Sequence, residues 1–231
     1  MRAFVGTSGF SFAGWKGTFY PAKTTGKAML SHYGTKLDTV EINNTFYKLP
    51  TEAILKGWSN DVPAHFRFSV KAQRYLTHSL KLLRAKDAMT QLYALLGSLG
   101  ERLGPLLVLV PPFLEKDMPR LEEFLEAVPR GRDVAVEFRH ASWFAPEVYA
   151  ALDARGVSLV ATESDDEPLR THFGAPFAYV RLRKEKYDAR ALDRWAKKLR
   201  GSAVERAFVY VKHEDEGTGP KLAQGLAERL R

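Results

Sequence analysis

Apolar and polar positions alternate with period two in several short stretches of this chain. Between those stretches the apolar positions fall at helical spacing. Strand-like runs rich in β-branched and aromatic residues lie at 3–6, 38–43, 66–71, 106–110, 133–138, 157–162, 177–182 and 207–212. Helical patterns near 24–35, 51–60, 79–99, 117–128, 146–155, 188–200 and 218–230 separate them, with a shorter connection at 166–173. The 79–99 segment is the strongest helix, carrying Leu80, Leu83 and Leu95 around a 3.6-residue period. Pro119 and Pro146 stand at first-turn positions, and Asp117 is placed to cap the helix that follows it.

Eight strands alternating with about as many helices predict a parallel sheet with helical crossovers. Two architectures meet that description, the closed (β/α)8 TIM barrel and the open doubly wound sheet. Helices cover both faces of an open parallel sheet, so its strands read as nearly continuous apolar runs. Here many strands carry polar residues on one face. VEINNTFY (40–47), read with the Thr39 before it, places Thr39, Glu41 and Asn43 on one side and Val40 and Ile42 on the other. DVAVEFRH (133–140) repeats the phase, with Ala135, Glu137 and Arg139 opposite Val134, Val136 and Phe138. A barrel accommodates such a face inside its C-terminal mouth, and the length is near the ~250 residues typical of that fold. No linker, low-complexity tract or repeat divides the chain, so residues 1–231 read as one (β/α)8-barrel domain.

The same phase puts Arg67, Ser69 and Lys71 inside on the third strand, and Tyr179, Arg181 and Arg183 on the seventh. Phe208, Tyr210 and Lys212 point inward on the eighth, while the apolar fourth strand supplies packing only. Glu41, Asn43, Lys71, Glu137, Arg139, Arg181 and Lys212 then converge at the mouth, where barrel enzymes carry their chemistry. Two carboxylates suit general acid and base roles, and four cations favour an anionic substrate. The competing reading is a buried ion-pair network that neutralises itself. A surplus of positive charge inside a barrel favours a ligand.

Composition narrows the chemistry. Lys and Arg number 35 against 27 Asp and Glu, a formal charge of +8 that favours anionic partners. The absence of cysteine excludes disulfides, thiolate nucleophiles and cysteine-ligated metal sites. The longest apolar run, PLLVLVPPF (105–113), is too short to cross a membrane and reads as a buried strand. With no signal-peptide pattern at the N-terminus, a cytoplasmic location without membrane association is the default expectation.

The glycine-rich segment GTSGFSFAGWKG (6–17) lacks the Gly-Lys-Ser/Thr ending of a phosphate loop, and its glycines and aromatics suit either a mobile wall of the mouth or loop packing alone. His78, His140 and His213 follow strand ends and could transfer protons or, with Glu41, Glu137, Glu163 and Glu214, hold a divalent metal. There is no His-x-His or His-Glu-x-x-His spacing, so no cofactor is expected. The loop HEDEGTGPK (213–221) leads into a helix near Pro220 whose N-terminus suits a phosphate, although its three acids oppose one. Arg194, Lys197, Lys198 and Arg200 form a basic helix face, read as solvated or, alternatively, as a nucleic-acid contact.

VEINNTFYKLP (40–50), FSVKAQRYLTH (68–78) and VEFRHASWF (136–144) resemble signature segments of the YecE-like family, bacterial and archaeal domain of unknown function 72. GTSGFSFAGWKGTFYP (6–21) and GPLLVLVPPF (104–113) are similar to it as well. The resemblance implies a TIM barrel and no particular reaction. At matching positions it marks Glu41, Asn43, Thr45, Tyr47, Lys71, His78, Glu137, Arg139, His140 and Trp143. The chain departs from the family pattern after strand seven, where Arg183 and Lys184 follow Arg181 and Leu182, and after strand eight, at Lys212, His213 and Glu214.

The expectation is therefore an enzyme acting by acid–base chemistry on a small phosphorylated or carboxylated substrate. Glu41 and Glu137 would form the acid–base pair, with His140 assisting. Lys71, Arg139, Arg181 and Lys212 would hold negative charge, and Asn43, Thr45, Tyr47, His78 and Trp143 would complete the binding site. The alternative is a nucleic-acid- or nucleotide-binding protein without catalysis. Oligomeric state is not legible.

Overall fold

A computed structural model describes all residues, 1–231. Eight parallel strands close into one barrel in sequence order, the TIM-barrel arrangement. They are β1 (Arg2–Ser8), β2 (Thr39–Ile42), β3 (Arg67–Lys71), β4 (Leu103–Val110), β5 (Val134–Phe138), β6 (Ser158–Glu163), β7 (Phe177–Leu182) and β8 (Arg206–Val211). The closing pair β1–β8 runs in register from Arg2↔Arg206 to Thr7↔Val211. Closure leaves no sheet edge to protect.

The outer ring comprises α1 (Gly26–Gly34), α2 (Glu52–Asp61), α3 (Ala85–Leu96), α4 (Met118–Ala127), α5 (Pro146–Ala154), α6 (Ala189–Arg200) and α7 (Thr218–Leu230). Local chemistry sets several of their starts. Asp117 caps α4 by accepting from the Arg120 amide at 3.1 Å, ahead of Pro119. Asp188 caps α6 through the Ala191 amide at 2.7 Å. The β6–β7 connection (164–176) has no helix, because Pro168 and Pro176 restrict its backbone and consecutive acids precede Pro168.

The long 79–99 helix is not formed as one piece. A π-helical turn (Tyr75–Ser79) is followed by left-handed residues Lys81, Leu82 and Arg84, and α3 begins only at Ala85. Leu82 turns fully inward within this break, and the Arg84 amide donates to Glu123 at 2.6 Å. Leu80 packs partly buried against the core while Leu83 is only half-buried, so their helical spacing is that of an irregular turn with Leu82 at its inward position.

Two separate apolar cores follow from the strand phase. One lies between barrel and helices and contains Val40, Ile42, Phe68, Val70, Val136 and Phe138. The other fills the barrel: Phe4, Leu107, Ala135, Val160, Phe177, Tyr179, Phe208 and Tyr210. Phe4 and Phe208 stack there with centroids 4.8 Å apart. Above them Thr39 pairs with the Tyr210 hydroxyl at 2.9 Å, and Ser69 with the Tyr179 hydroxyl at 2.8 Å. This hydrogen-bonded layer is the floor on which the charged mouth rests.

Candidate functional site

Glu41 and Glu137, on β2 and β5, enter the barrel above that floor and are almost completely buried. Arg181 of β7 joins them, donating from Nη1 to Glu137 Oε2 at 2.6 Å and from Nη2 to Glu41 Oε1 at 2.8 Å. Glu41 also accepts from Ser8 Oγ (2.5 Å), Asn43 Nδ2 (3.0 Å) and the Tyr179 hydroxyl (2.8 Å). Glu137 accepts from Thr162 Oγ1 at 2.9 Å and pairs with Arg139 Nη2 at 2.6 Å. Every carboxylate oxygen therefore has a donor, the condition under which buried charge is tolerated.

Burial pushes both carboxyl groups up, but their donors outweigh it. Arg181, Arg139, Arg183 and Thr162 bring Glu137 down to about 2. Glu41 is lowered by Arg181, Ser8, Asn43 and Tyr179 against the same burial. Arg181 is opposed by burial and held protonated by the two glutamates. All three are charged at neutral pH.

A cavity of about 540 Å³ opens above this triad. Its wall includes Lys71, Arg139, Arg181, Arg183 and Lys212, with Glu214 at the β8 loop. These five cations meet three carboxylates, Glu41, Glu137 and Glu214, an excess of two positive charges. Lys71, Arg183 and Lys212 form no ion pair, whereas Arg139 and Arg181 do. Lys71 lies with its Nζ 4.1 Å from the centroid of the Phe46 ring. Burial and repulsion from Arg181 bring its pKa down to about 8, against the pull of Glu137 and Glu41.

The β1–α1 segment makes one wall, from Ser8 to Phe12. Gly9 takes a left-handed φ of 97°, and its amide donates to the Glu41 carbonyl at 2.9 Å, turning the chain over the mouth. The fully buried Trp15 anchors this wall, with Phe12 4.7 Å from its ring. Gly217 (φ 79°) lets the β8 loop pack on it, since a Cβ there would meet Thr18 Oγ1 at 2.6 Å.

Glu41, Asn43, Lys71, Glu137, Arg139, Arg181 and Lys212 thus meet at one place. Tyr47 joins them at the rim, 83% exposed. Four predicted site residues stand apart from the cavity. Thr45 is fully buried and donates to the Lys71 carbonyl at 2.7 Å, tying the β2 loop to β3. Trp143 is also fully buried, stacked on Phe138 at 4.5 Å, with its indole N–H donating to the Leu114 carbonyl at 2.7 Å. His140 caps a short helical turn through Ser142. His78 contacts Thr77 Oγ1 at 2.9 Å and packs edge-on against Phe46 and Phe113.

Other residues of the site were not in the predicted set. Ser8, Tyr179 and Thr162 bind the glutamates, and Arg183, Leu109 and Trp58 line the cavity. Period two applied to β1 and β6 would have found Ser8 and Thr162. The fourth strand therefore supplies a cavity wall as well as packing. The basic residues Lys197, Lys198 and Arg200 fall in the last turn of α6, at the opposite end of the barrel from the mouth. No group of three or more Asp, Glu or His side chains is arranged to hold a metal ion, and Arg181 stands between the two central carboxylates. No helix is long and apolar enough to cross a membrane.

Fold and site together define a TIM barrel whose C-terminal mouth is cationic. The chain belongs to the family described as protein of unknown function DUF72, which it matches over residues 4–231. It is 28% identical to the UPF0759 protein YecE of Escherichia coli over 145 residues, 60% of this chain and 53% of that protein. It is 25% identical to the UPF0759 protein YunF of Bacillus subtilis over 154 residues, 63% of this chain and 54% of that protein. These matches span about half the length of the curated relatives. A crystal structure of a DUF72 family protein from Thermotoga maritima superposes with a TM-score of 0.82 at 26% identity, covering 100% of this chain and 99% of that one. A DUF72 family protein from Enterococcus faecalis has the same fold, with a TM-score of 0.81 at 16% identity, covering 99% and 95%.

Proposed function

We propose that the barrel mouth binds a small phosphorylated or carboxylated substrate and acts on it by acid–base chemistry. One observation carries this reading: Lys71, Arg183 and Lys212 face the cavity unpaired, while both central carboxylates are already saturated with donors. Unpaired cations around a concave site of this size suit an anionic ligand. The glutamates take a different part from an acid–base pair. Glu137 at about 2 is a weak proton acceptor, and its work is to hold Arg181 and Arg139 in place. Lys71, brought to about 8, is the group in the cavity best matched to proton transfer near neutral pH. Asn43 donates to Glu41 and Ser8, which leaves its carbonyl oxygen to orient a substrate donor.

The test is stabilisation of the folded protein by inorganic phosphate, pyrophosphate, pyruvate and citrate, each against sodium chloride of equal ionic strength. A bound anion at 100 times its dissociation constant adds about 2.7 kcal/mol to stability. A shift with at least one anion beyond the salt control, lost in Arg183→Gln/Lys212→Gln, supports the reading. No shift with any of the four overturns it.

A further inference from the structure

We propose that Lys71 is a nucleophilic amine that forms a Schiff base with a small ketone carrying a carboxylate or phosphate group. This rests on the anion-binding reading of the mouth and adds a covalent step to it.

The geometry isolates one amine. Lys71 ends β3, and the Thr45 hydroxyl bonded to its carbonyl at 2.7 Å fixes the base of the side chain. Its Nζ rests over the Phe46 ring at the cavity wall and makes no ion pair. The two carboxylates that attract it are occupied, Glu41 by Ser8, Asn43, Tyr179 and Arg181, and Glu137 by Thr162, Arg139 and Arg181. Arg181 and Arg139 lie on the same wall and repel a charged ammonium. A lysine that is partly desolvated beside other cations is the activated form of this nucleophile. Near pH 8 about half of it is neutral and carries the lone pair the reaction needs. Arg183 and Lys212, unpaired in the same cavity, are placed to hold the ketone's anionic group.

The step balances without an added oxidant or reductant. The Nζ lone pair attacks the carbonyl carbon, the carbonyl π pair moves to oxygen, and a proton passes from nitrogen to oxygen to give the carbinolamine. The nitrogen lone pair then forms the C=N bond as the C–O bond breaks. Both hydrogens of the neutral amine leave with that oxygen as one water.

Reductive trapping tests this on the whole wild-type chain. The protein is incubated near pH 8 with pyruvate, 2-oxoglutarate or dihydroxyacetone phosphate, then treated with sodium borohydride. Hydride adds to the imine carbon and leaves a stable secondary amine, a mass gain equal to the ketone less one oxygen. The expected result is a single adduct on the peptide containing Lys71, suppressed by excess inorganic phosphate and absent in Lys71→Arg. No adduct with any of the three ketones, or adducts spread over exposed lysines, overturns the proposal. Peptide mapping of the wild type decides the matter even if Lys71→Arg fails to fold. A protein stabilised by small anions yet never trapped loses the Schiff base alone; one that shows neither loses the anion-binding reading as well.

Discussion

Arg181 meets Glu137 at 2.6 Å inside the barrel, and the other arm of the same guanidinium holds Glu41 at 2.8 Å. One cation therefore separates two buried carboxylates that would otherwise repel each other. Because Arg181 comes from β7 and the glutamates from β2 and β5, the triad also braces the barrel across its interior. The charge left over belongs to residues outside the triad, which line the cavity together with Arg181.

Replacing Arg181 with methionine should cost about 3–5 kcal/mol, the usual penalty for stripping one partner from a buried ion pair. The two carboxylates would then resist ionisation, so the variant should recover stability on mild acidification. Urea unfolding at two pH values measures both effects. A loss within about 0.5 kcal/mol, the range of an ordinary surface change, would show that the triad does not brace the barrel.

Acid unfolding of the wild type follows from the same contacts. Glu137 sits at about 2 in the folded chain against an ordinary 4.5. A depressed carboxylate contributes its stability fully above the unfolded value and loses it as pH falls through the folded one. Stability should therefore decline as pH drops from 4.5 toward 2, with Glu41 adding in the same direction. Urea midpoints across that window report it, and Glu137→Gln should flatten the slope. An equally steep slope in the variant would remove Glu137 as its source.

Lys71 predicts the opposite limb. Its folded value of about 8 lies below the ordinary 10.5, so its charge destabilises the fold at neutral pH. That penalty is complete below pH 8 and is relieved as pH rises toward 10.5, so this contribution to stability climbs with pH there. Lys71→Met should gain on the order of 1 kcal/mol at neutral pH after allowance for water screening, and should lose this alkaline rise. Denaturation of both proteins at neutral and alkaline pH checks it; no gain at neutral pH would place the amine in ordinary solvent.

Trp143 separates scaffold from site. Phenylalanine there keeps the stack on Phe138 but leaves the buried Leu114 carbonyl without its indole donor. The expected cost is about 1–3 kcal/mol, with phosphate affinity unchanged in the folded protein. Calorimetric titration showing weaker phosphate binding by folded Trp143→Phe would return this residue to the site.

Period two made the barrel and the floor of its mouth legible, because a strand's alternation is fixed by the pleat. Glu41, Glu137, Arg181 and Lys71 share an inward phase, and the structure brings them together. Phase stops where the strand stops, and the candidates beyond it rest on the family resemblance instead. Thr45, His140 and Trp143 follow strand ends, where short helical turns redirect them to backbone carbonyls and amides. Nor does alternation reveal pairing: nothing in the strand pattern shows that a single guanidinium would saturate both carboxylates and leave Lys71, Arg183 and Lys212 free. The broken 79–99 helix has the same origin, since the spacing of Leu80 and Leu83 carries no record of the left-handed backbone at Lys81, Leu82 and Arg84.

Arg183 and Lys212 offer the cleanest test of the mouth, because neither belongs to an ion pair and removing either leaves no buried charge exposed. Lys212→Gln should keep stability within about 0.5 kcal/mol of the wild type, and Arg183→Gln should lose only a little more, since Glu137 keeps Arg181, Arg139 and Thr162. Each should weaken phosphate binding about 10-fold, or about 1.4 kcal/mol, the scale of one charge-assisted hydrogen bond. The remaining affinity should fall further with added salt, as expected for partly exposed charges. Lys197→Gln/Lys198→Gln, which removes the same kind of charge from the far end of α6, should leave phosphate affinity where it was. Titration calorimetry at fixed ionic strength distinguishes the cases. Equal weakening by the mouth variants and the far-end variant would reduce the effect to net charge, and the cavity would have no special claim on the anion.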